Sequence, residues 1–443
     1  MKHTVGASRN PRLLILASKL GYQTRGFIEA AQRLGIEVAL GTDRCHQLDD
    51  PWNDRAWPLD FADAGAAAAE IVARAHDAPL AAILALGDRA PLAAAFAAQS
   101  LGLPHNSPES VANCRSKLRQ REALAAAGVP VPGFSSFALS ESFDAILPRV
   151  NFPCVVKPLR LSASQGVIRA NSAAEFRAAI ARVRALVESP EVQVTREPEL
   201  DRILVEDYVP GAEVALEGLL DRGRLRILAI FDKPDLLEGP FFEETIYVTP
   251  SRLPAAAQEA IAACARRTVA ALGLTHGPIH AEFRWNDRGA WVLECAPRPI
   301  GGLCARTLRF GPGRMPLEEL LVRHALGMSG SDAERETGAA AVMMIPVPSN
   351  GILDGIEGLE RAREVARIEA IEITARLHDR VVAWPEGASY LGFIFARAAN
   401  SEEVEAAVRA AHTHLRFKLI AELPVEHPAT GRLPLARESR ETD

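Results

Sequence analysis

Residues 279–299 read IHAEFRWNDRGAWVLECAPRP, and this stretch decides how the surrounding chain folds. Asn286-Asp287-Arg288-Gly289 is turn chemistry, so two strands meet here as a hairpin. Side chains along a strand alternate faces. Ala281, Phe283 and Trp285 therefore share one face of the first strand, and His280, Glu282 and Arg284 share the other. In the second strand Trp291, Leu293 and Cys295 form the apolar set, with Glu294 opposite them. A one-residue slip would bury the polar set, so both apolar sets must face the core. Every register that satisfies this places Glu282 and Glu294 on one face, opposed or diagonal.

Like charges facing each other across a strand pair cost up to about 1 kcal/mol. A Mg²⁺ ion would remove that penalty, because it binds one or two carboxylates together with substrate phosphates. Pro297 and Pro299 keep the following chain extended, and Arg298 continues the face of the two glutamates. Its guanidinium is suited to a bidentate grip on a carboxylate or phosphate. The simpler alternative is a solvated hairpin face with an Arg–Glu pair.

Upstream, strand-like stretches (203–208, 213–220, 224–231) and a helix near 254–272 surround the hairpin without regular alternation, which predicts an α+β region. Before it, residues 171–187 open with Ser172 and Glu175 at capping-box spacing and repeat apolar residues at Phe176, Ile180, Val183 and Val187. The first 112 residues differ: RLLILAS (12–18), VALGTD (38–43) and AAILALGD (81–88) alternate with helical segments, which predicts a parallel sheet covered by helices. No GxGxxG follows the first strand, only GYQTRG (21–26), so nothing marks a nucleotide site there. After residue 330, strand-like stretches at 339–346, 368–374 and 390–396 and a helix near 402–416 form a third unit. The final GRLPLARESRETD reads as a loosely ordered tail.

The chain has 443 residues, 48% of them hydrophobic, which is enough for several cores. A net charge of −6 gives no global attraction for nucleic acid or an anionic membrane. No apolar run reaches membrane-spanning length. Cys45, Cys114, Cys154, Cys264, Cys295 and Cys304 are scattered without a CxxC pair, which reads as reduced core thiols of a cytoplasmic protein rather than a zinc site.

Four further segments stand in one order before or within the hairpin: Lys117 in SKLRQREALAAAG, Lys157 at the end of FPCVVKP, the serine-rich LRLSASQGV (159–167), and VEDYVPGAE (205–213). With the two glutamates they resemble the ATP-grasp superfamily over essentially the whole chain. The resemblance implies a Rossmann-like parallel-sheet domain over 1–112 and a two-lobed ATP-grasp domain over 113–329. The lid lobe would take about 113–200 and the metal-binding lobe about 201–329, before a small α+β domain at 330–443. It also implies ATP with Mg²⁺, or Mn²⁺ in its place, on Glu282 and Glu294. Lys117 and Lys157 would contact the phosphates, and Ser162, Ser164 and Gly166 would cradle them. Glu206 and the Val209 backbone would meet the adenine edge, and Glu213 the ribose. The loop is poorer in glycine than is usual in the family, and GAEVALEG (211–218) lacks the histidine that biotin carboxylases carry.

Many relatives read Glu-x-Asn-x-Arg where this chain has Glu294, Ala296 and Arg298. Glu-x-Ala-x-Arg is similar to the bacilysin-type L-amino-acid ligases, as is DKPDLLEGPFFEETIYVTPS (232–251). That likeness implies Lys233 near the nucleotide and Glu243 near the substrate or metal. Gly301, Gly302, Arg306, Arg309, His280 and Arg298 would surround a carboxylate substrate. The implied activity is an ATP-dependent ligase joining a small acid to an amine through an acyl phosphate, with Lys157, Glu294 and Arg298 catalytic and a homodimer as one arrangement. The alternatives are a biotin-carboxylase-like or formyl-phosphate-type enzyme, or an ATP-binding protein with a decayed site, for which Ala296 and the glycine-poor loop speak.

Overall fold

The computed structural model describes residues 11–18, 21–43, 56–421, 426–427 and 431–432. Cys45 and most of the C-terminal tail lie outside them. The N-terminal apolar runs form a four-stranded parallel sheet in the spatial order Trp57–Pro58, Glu37–Thr42, Arg12–Ala17, Ala82–Leu86. Both faces are covered, so Arg12–Ala17 is apolar after Arg12 and Ala82–Leu86 throughout. Helices Ala64–Asp77 and Pro91–Leu101 cover one face. Tyr22–Arg33 covers the other together with Leu317–Ala325, a helix from much later in the chain.

A smaller antiparallel sheet follows, ordered Phe134–Ala138, Arg202–Asp207, Cys154–Pro158, Ile168–Ala170. Helix Ala173–Val187 packs on it with Phe176, Ile180, Val183 and Val187, the residues its periodicity singles out. Its start is capped by Ser172, whose hydroxyl accepts from the Glu175 N–H.

The largest sheet is antiparallel and has eight strands. Their order is Gly289–Ala296, Gly277–Asn286, Ala212–Asp221, Arg224–Asp232, Ile246–Thr249, Ala339–Ile345, Gly392–Ala398, Ile368–Ile373. The C-terminal α+β unit is thus built onto the central one: Ile246–Thr249 pairs directly with Ala339–Ile345. Helix Ala255–Ala271 backs the hairpin half, and helix Ser401–His414 backs the C-terminal half. No helix among the described residues is long and apolar enough to cross a membrane.

Candidate active site

The hairpin pairs Glu282 directly with Glu294 and Ala281 with Cys295. One step on, the register shifts so that Phe283 faces Val292 and Leu293 is an extra residue. Ala290, Val292 and Cys295 join Ala281 and Phe283 in the core. The expected apolar set of Trp291, Leu293 and Cys295 is therefore corrected. Apolar residues at 290, 292 and 295 cannot all follow a period of two, and a β-bulge absorbs the mismatch. Leu293 lines a cleft of about 440 Å³ between the sheets, as do Glu282 and Glu294. Trp291 is half-buried beneath the Arg288 guanidinium.

The carbonyl freed by the bulge is bound. Arg121, 1% exposed, donates Nη2 to Leu293 O and Nε to Glu206 at 2.6 Å. The second Glu206 oxygen lies 2.6 Å from Lys157 Nζ. Burial opposes ionisation of Glu206, but Arg121 and Lys157 hold its carboxyl below the usual range. Glu206 lines the cleft, with one carboxylate oxygen on Arg121 and the other on Lys157. Lys157 itself lines the cleft. Lys117 lines it too, donating to Leu161 O at 2.5 Å with Nζ 4.0 Å from Glu294.

Glu213, Glu244 and Glu282 offer oxygens within 4.8 Å of one another. The Lys233 ammonium sits among them, 2.9 Å from Glu213 and 3.3 Å from Glu282, and also bonds Glu244. Burial disfavours its charge, yet the three carboxylates hold it protonated well above the ordinary lysine range. Lys233 does not line the cleft, which corrects its expected place beside the nucleotide. Burial drives the Glu244 carboxyl up to about 7. Glu282 is hydrogen-bonded to it and, despite burial, is held well below the carboxylate range by Lys233 and His280. Glu244 also accepts from Tyr247 Oη at 2.6 Å. Carboxylate oxygens are the hard donors Mg²⁺ prefers. Glu213, Glu244 and Glu282 thus offer such an ion oxygens, while Glu294 faces Glu282 across the hairpin and Ala296 offers no donor.

His280 lines the cleft, bonded through Nδ1 to Glu217 with Nε2 3.6 Å from Glu282. Burial opposes its charge, but Glu217 lifts the imidazole to about 9, so it is a cation at neutral pH. Glu213 is fixed by Lys233 and by Arg284 Nε at 3.0 Å. Arg284 Nη1 also donates to the Val209 carbonyl at 2.8 Å, and Val209 lines the cleft. Gly211 makes this hinge possible: its φ is +124°, and a Cβ would stand 2.2 Å from Trp285 O.

Ser162, Ser164, Gly301 and Gly302 line the cleft. Four other expected residues do not. The Gly166 N–H donates to Pro385 O at 2.8 Å, so it cannot cradle a phosphate. Arg306 is half-exposed and paired with Glu372 at 2.9 Å. Glu243 lies outside the lining, and its neighbour Glu244 takes that place. Arg309 pairs with Glu369. Sequence reasoning missed Gln23, Asp88, Tyr247, Tyr390 and Phe393 in the wall. Asp88 carried a usable signal, since it follows a parallel strand at its carboxyl end, where open α/β sheets bind ligands.

Residues 28–105 match the ATP-grasp N-terminal domain family, 150–307 the ATP-grasp domain, and 343–419 the L-amino acid ligase C-terminal domain 2. The chain is an ATP-grasp protein by fold and by domain content. Its C-terminal region is of the L-amino acid ligase type. The crystal structure of L-amino acid ligase from Bacillus licheniformis superposes with TM-score 0.78 at 27% identity, over 94% of this chain and 100% of that one. Alanine–anticapsin ligase from Bacillus amyloliquefaciens is 29% identical over 47% of this chain and 46% of its own length. An uncharacterized protein of Sinorhizobium fredii, y4rH, is 26% identical over 71% of this chain and 63% of its own length. The chain thus spans under two thirds of these two curated relatives.

Proposed function

We propose that this protein is an ATP-dependent carboxylate–amine ligase that joins an amino acid or small carboxylic acid to an amine, releasing ADP and phosphate. The observation that carries this reading is the convergence in one cleft of the opposed Glu282–Glu294 pair, Lys117, Lys157 and Arg298. Lys117 and Lys157 bind the triphosphate. Each cation about 4 Å from a phosphate charge contributes roughly 4 kcal/mol at an effective dielectric near 20. Glu282 and Glu294, with Glu244 beside them, would hold Mg²⁺, which would supply charge neutralisation for the phosphates.

The acid's carboxylate oxygen attacks the γ-phosphorus and ADP leaves. The amine nitrogen then attacks the acyl carbon, the C–N bond forms, phosphate departs, and the amine proton passes to solvent. Arg298 anchors a carboxylate, and the His280 cation faces the developing negative charge. Tyr247, Met344, Tyr390 and Phe393 form an apolar wall that supports a substrate with an apolar side chain. The five described cysteines are unpaired and buried, which supports a reducing, cytoplasmic setting.

The test is a pairwise screen of acids and amines for ADP and phosphate release, followed by labelled carboxylate oxygen. Label should appear in phosphate only when acid, amine and ATP are all present. Bicarbonate-dependent ATP hydrolysis without amide formation would overturn the assignment in favour of carboxylase-like chemistry.

A further inference from the structure

We infer that Asp88, just beyond strand Ala82–Leu86 of the N-terminal sheet, is a positioning residue that orients Arg298 and reserves it for a substrate carboxylate. This rests on the reading of Arg298 as the carboxylate anchor. Asp88 Oδ1 accepts from Arg298 Nε at 2.5 Å across 210 residues of sequence. Arg298 Nη1 donates to Pro299 O at 3.0 Å. Nη2 makes no hydrogen bond among the described residues, and Arg298 lines the cleft, so two edges of the planar fork are fixed and the third is available. Ser162 of the phosphate-side loop and Lys117 both lie close enough to act on the Asp88 carboxylate.

The turn after Arg298 is held in the same way. Gln23 Nε2 donates to Ile300 O at 2.9 Å, while Ile300 N–H donates to Glu217 at 3.1 Å. The N-terminal unit thus grips the anchor turn at two points, Asp88 and Gln23. A fixed carboxylate in a cleft that admits a triphosphate repels that ligand unless it has another task. Paired with Asp88, Arg298 has no net charge to offer a stray phosphate, yet it keeps a directional donor edge for a carboxylate.

The experiment compares Asp88→Asn, Asp88→Glu and the full-length parent protein. Inorganic phosphate is titrated calorimetrically without turnover, and KM values for acid and ATP are measured separately. Asp88→Asn keeps an acceptor for Nε but removes the charge. It should bind phosphate about tenfold tighter and raise the acid KM about tenfold, with the ATP KM within about twofold. Asp88→Glu should keep the parent's phosphate affinity but raise the acid KM, because the carboxylate is displaced by one methylene. Unchanged phosphate affinity in Asp88→Asn, or an equal rise in both KM values, overturns the proposal; a purely structural ion pair would give one of these. If Asp88→Asn does not fold, a parent-like acid KM in Asp88→Glu overturns it. If the parent turns over no acid–amine pair, the ligase reading fails, and the phosphate titration still decides the role of Asp88.

Discussion

Arg121 does not line the cleft, yet two elements of its wall depend on it. It joins the bulge carbonyl of Leu293 to Glu206, and Glu206 holds Lys157. Arg121→Leu would leave Glu206 buried with one cation instead of two. Breaking a buried pair this way costs about 3–5 kcal/mol, which denaturant melts would report. Arg121→Lys keeps the charge but cannot reach both acceptors, so it should retain the fold and lose part of the activity. Glu294 presents the opposite case, being partly exposed and bonded only weakly to Lys117 at 4.0 Å. Glu294→Gln should leave the melting temperature within a few degrees and reduce turnover by more than about 100-fold, since even groups that merely support metal ligands cost 10–100-fold. Retained turnover would remove Glu294 from the site.

Among the elements, the hairpin was the most legible in sequence. The face shared by Glu282 and Glu294 followed from apolar alternation and the turn, because burial of one face specifies register. The bulge was not legible, since Leu293 and Val292 are equally apolar and only packing decides which is buried. Asp88 escaped for another reason: its partner is 210 residues away, and local pattern carries no long-range pairing. Lys233 was read as a nucleotide contact from likeness alone; three converging carboxylates explain instead why a lysine is held there.

A histidine cluster joins three further elements. His276, before strand Gly277–Asn286, stacks on His324 of helix Leu317–Ala325 with centroids 4.7 Å apart, and His105 lies nearby. Burial first, then His324 and His105, depress His276 from 6.5 to about 4, against a small opposing effect of Asp221. The folded ring stays neutral while the unfolded one binds a proton. Stability is therefore complete above 6.5 and is lost as pH falls toward 4. After discounting for partial exposure, the effect should be about 1–2 kcal/mol. Urea melts at pH 7.5 and 5.0 should show this difference, and His276→Phe should reduce it.

At the scale of the molecule, the loop over the phosphate side is braced by the C-terminal unit. Trp384 Nε1 donates to Ala163 O at 3.0 Å, Gln165 Nε2 to Glu386 O at 2.7 Å, and Gly166 N–H to Pro385 O. Arg182 forms a two-pronged pair with the Glu386 carboxylate. These contacts supply the order that a glycine-rich loop would lack, so fewer glycines follow from a loop with outside partners. Glu386→Ala should speed amide hydrogen exchange over residues 160–167 and raise the ATP KM up to about fivefold, in keeping with a partly exposed pair worth 0.2–1 kcal/mol. Unaltered exchange would mean that the backbone contacts hold the loop without the ion pair.

The eight-stranded sheet also sets a timetable for biosynthesis. The lid sheet is complete once Asp207 has been made, but strand Ile246–Thr249 must wait for Ala339–Ile345, and that strand for Gly392–Ala398. At roughly 5–20 residues per second, a ribosome needs about 5–19 seconds to pass from Thr249 to Ile345. Through that interval the nascent chain carries an unpaired edge of the apolar strand Ile246–Thr249. Chaperone demand during translation should therefore peak between the emergence of these two strands, and synonymous codons that slow this stretch should lower the yield of soluble protein without altering the enzyme that survives.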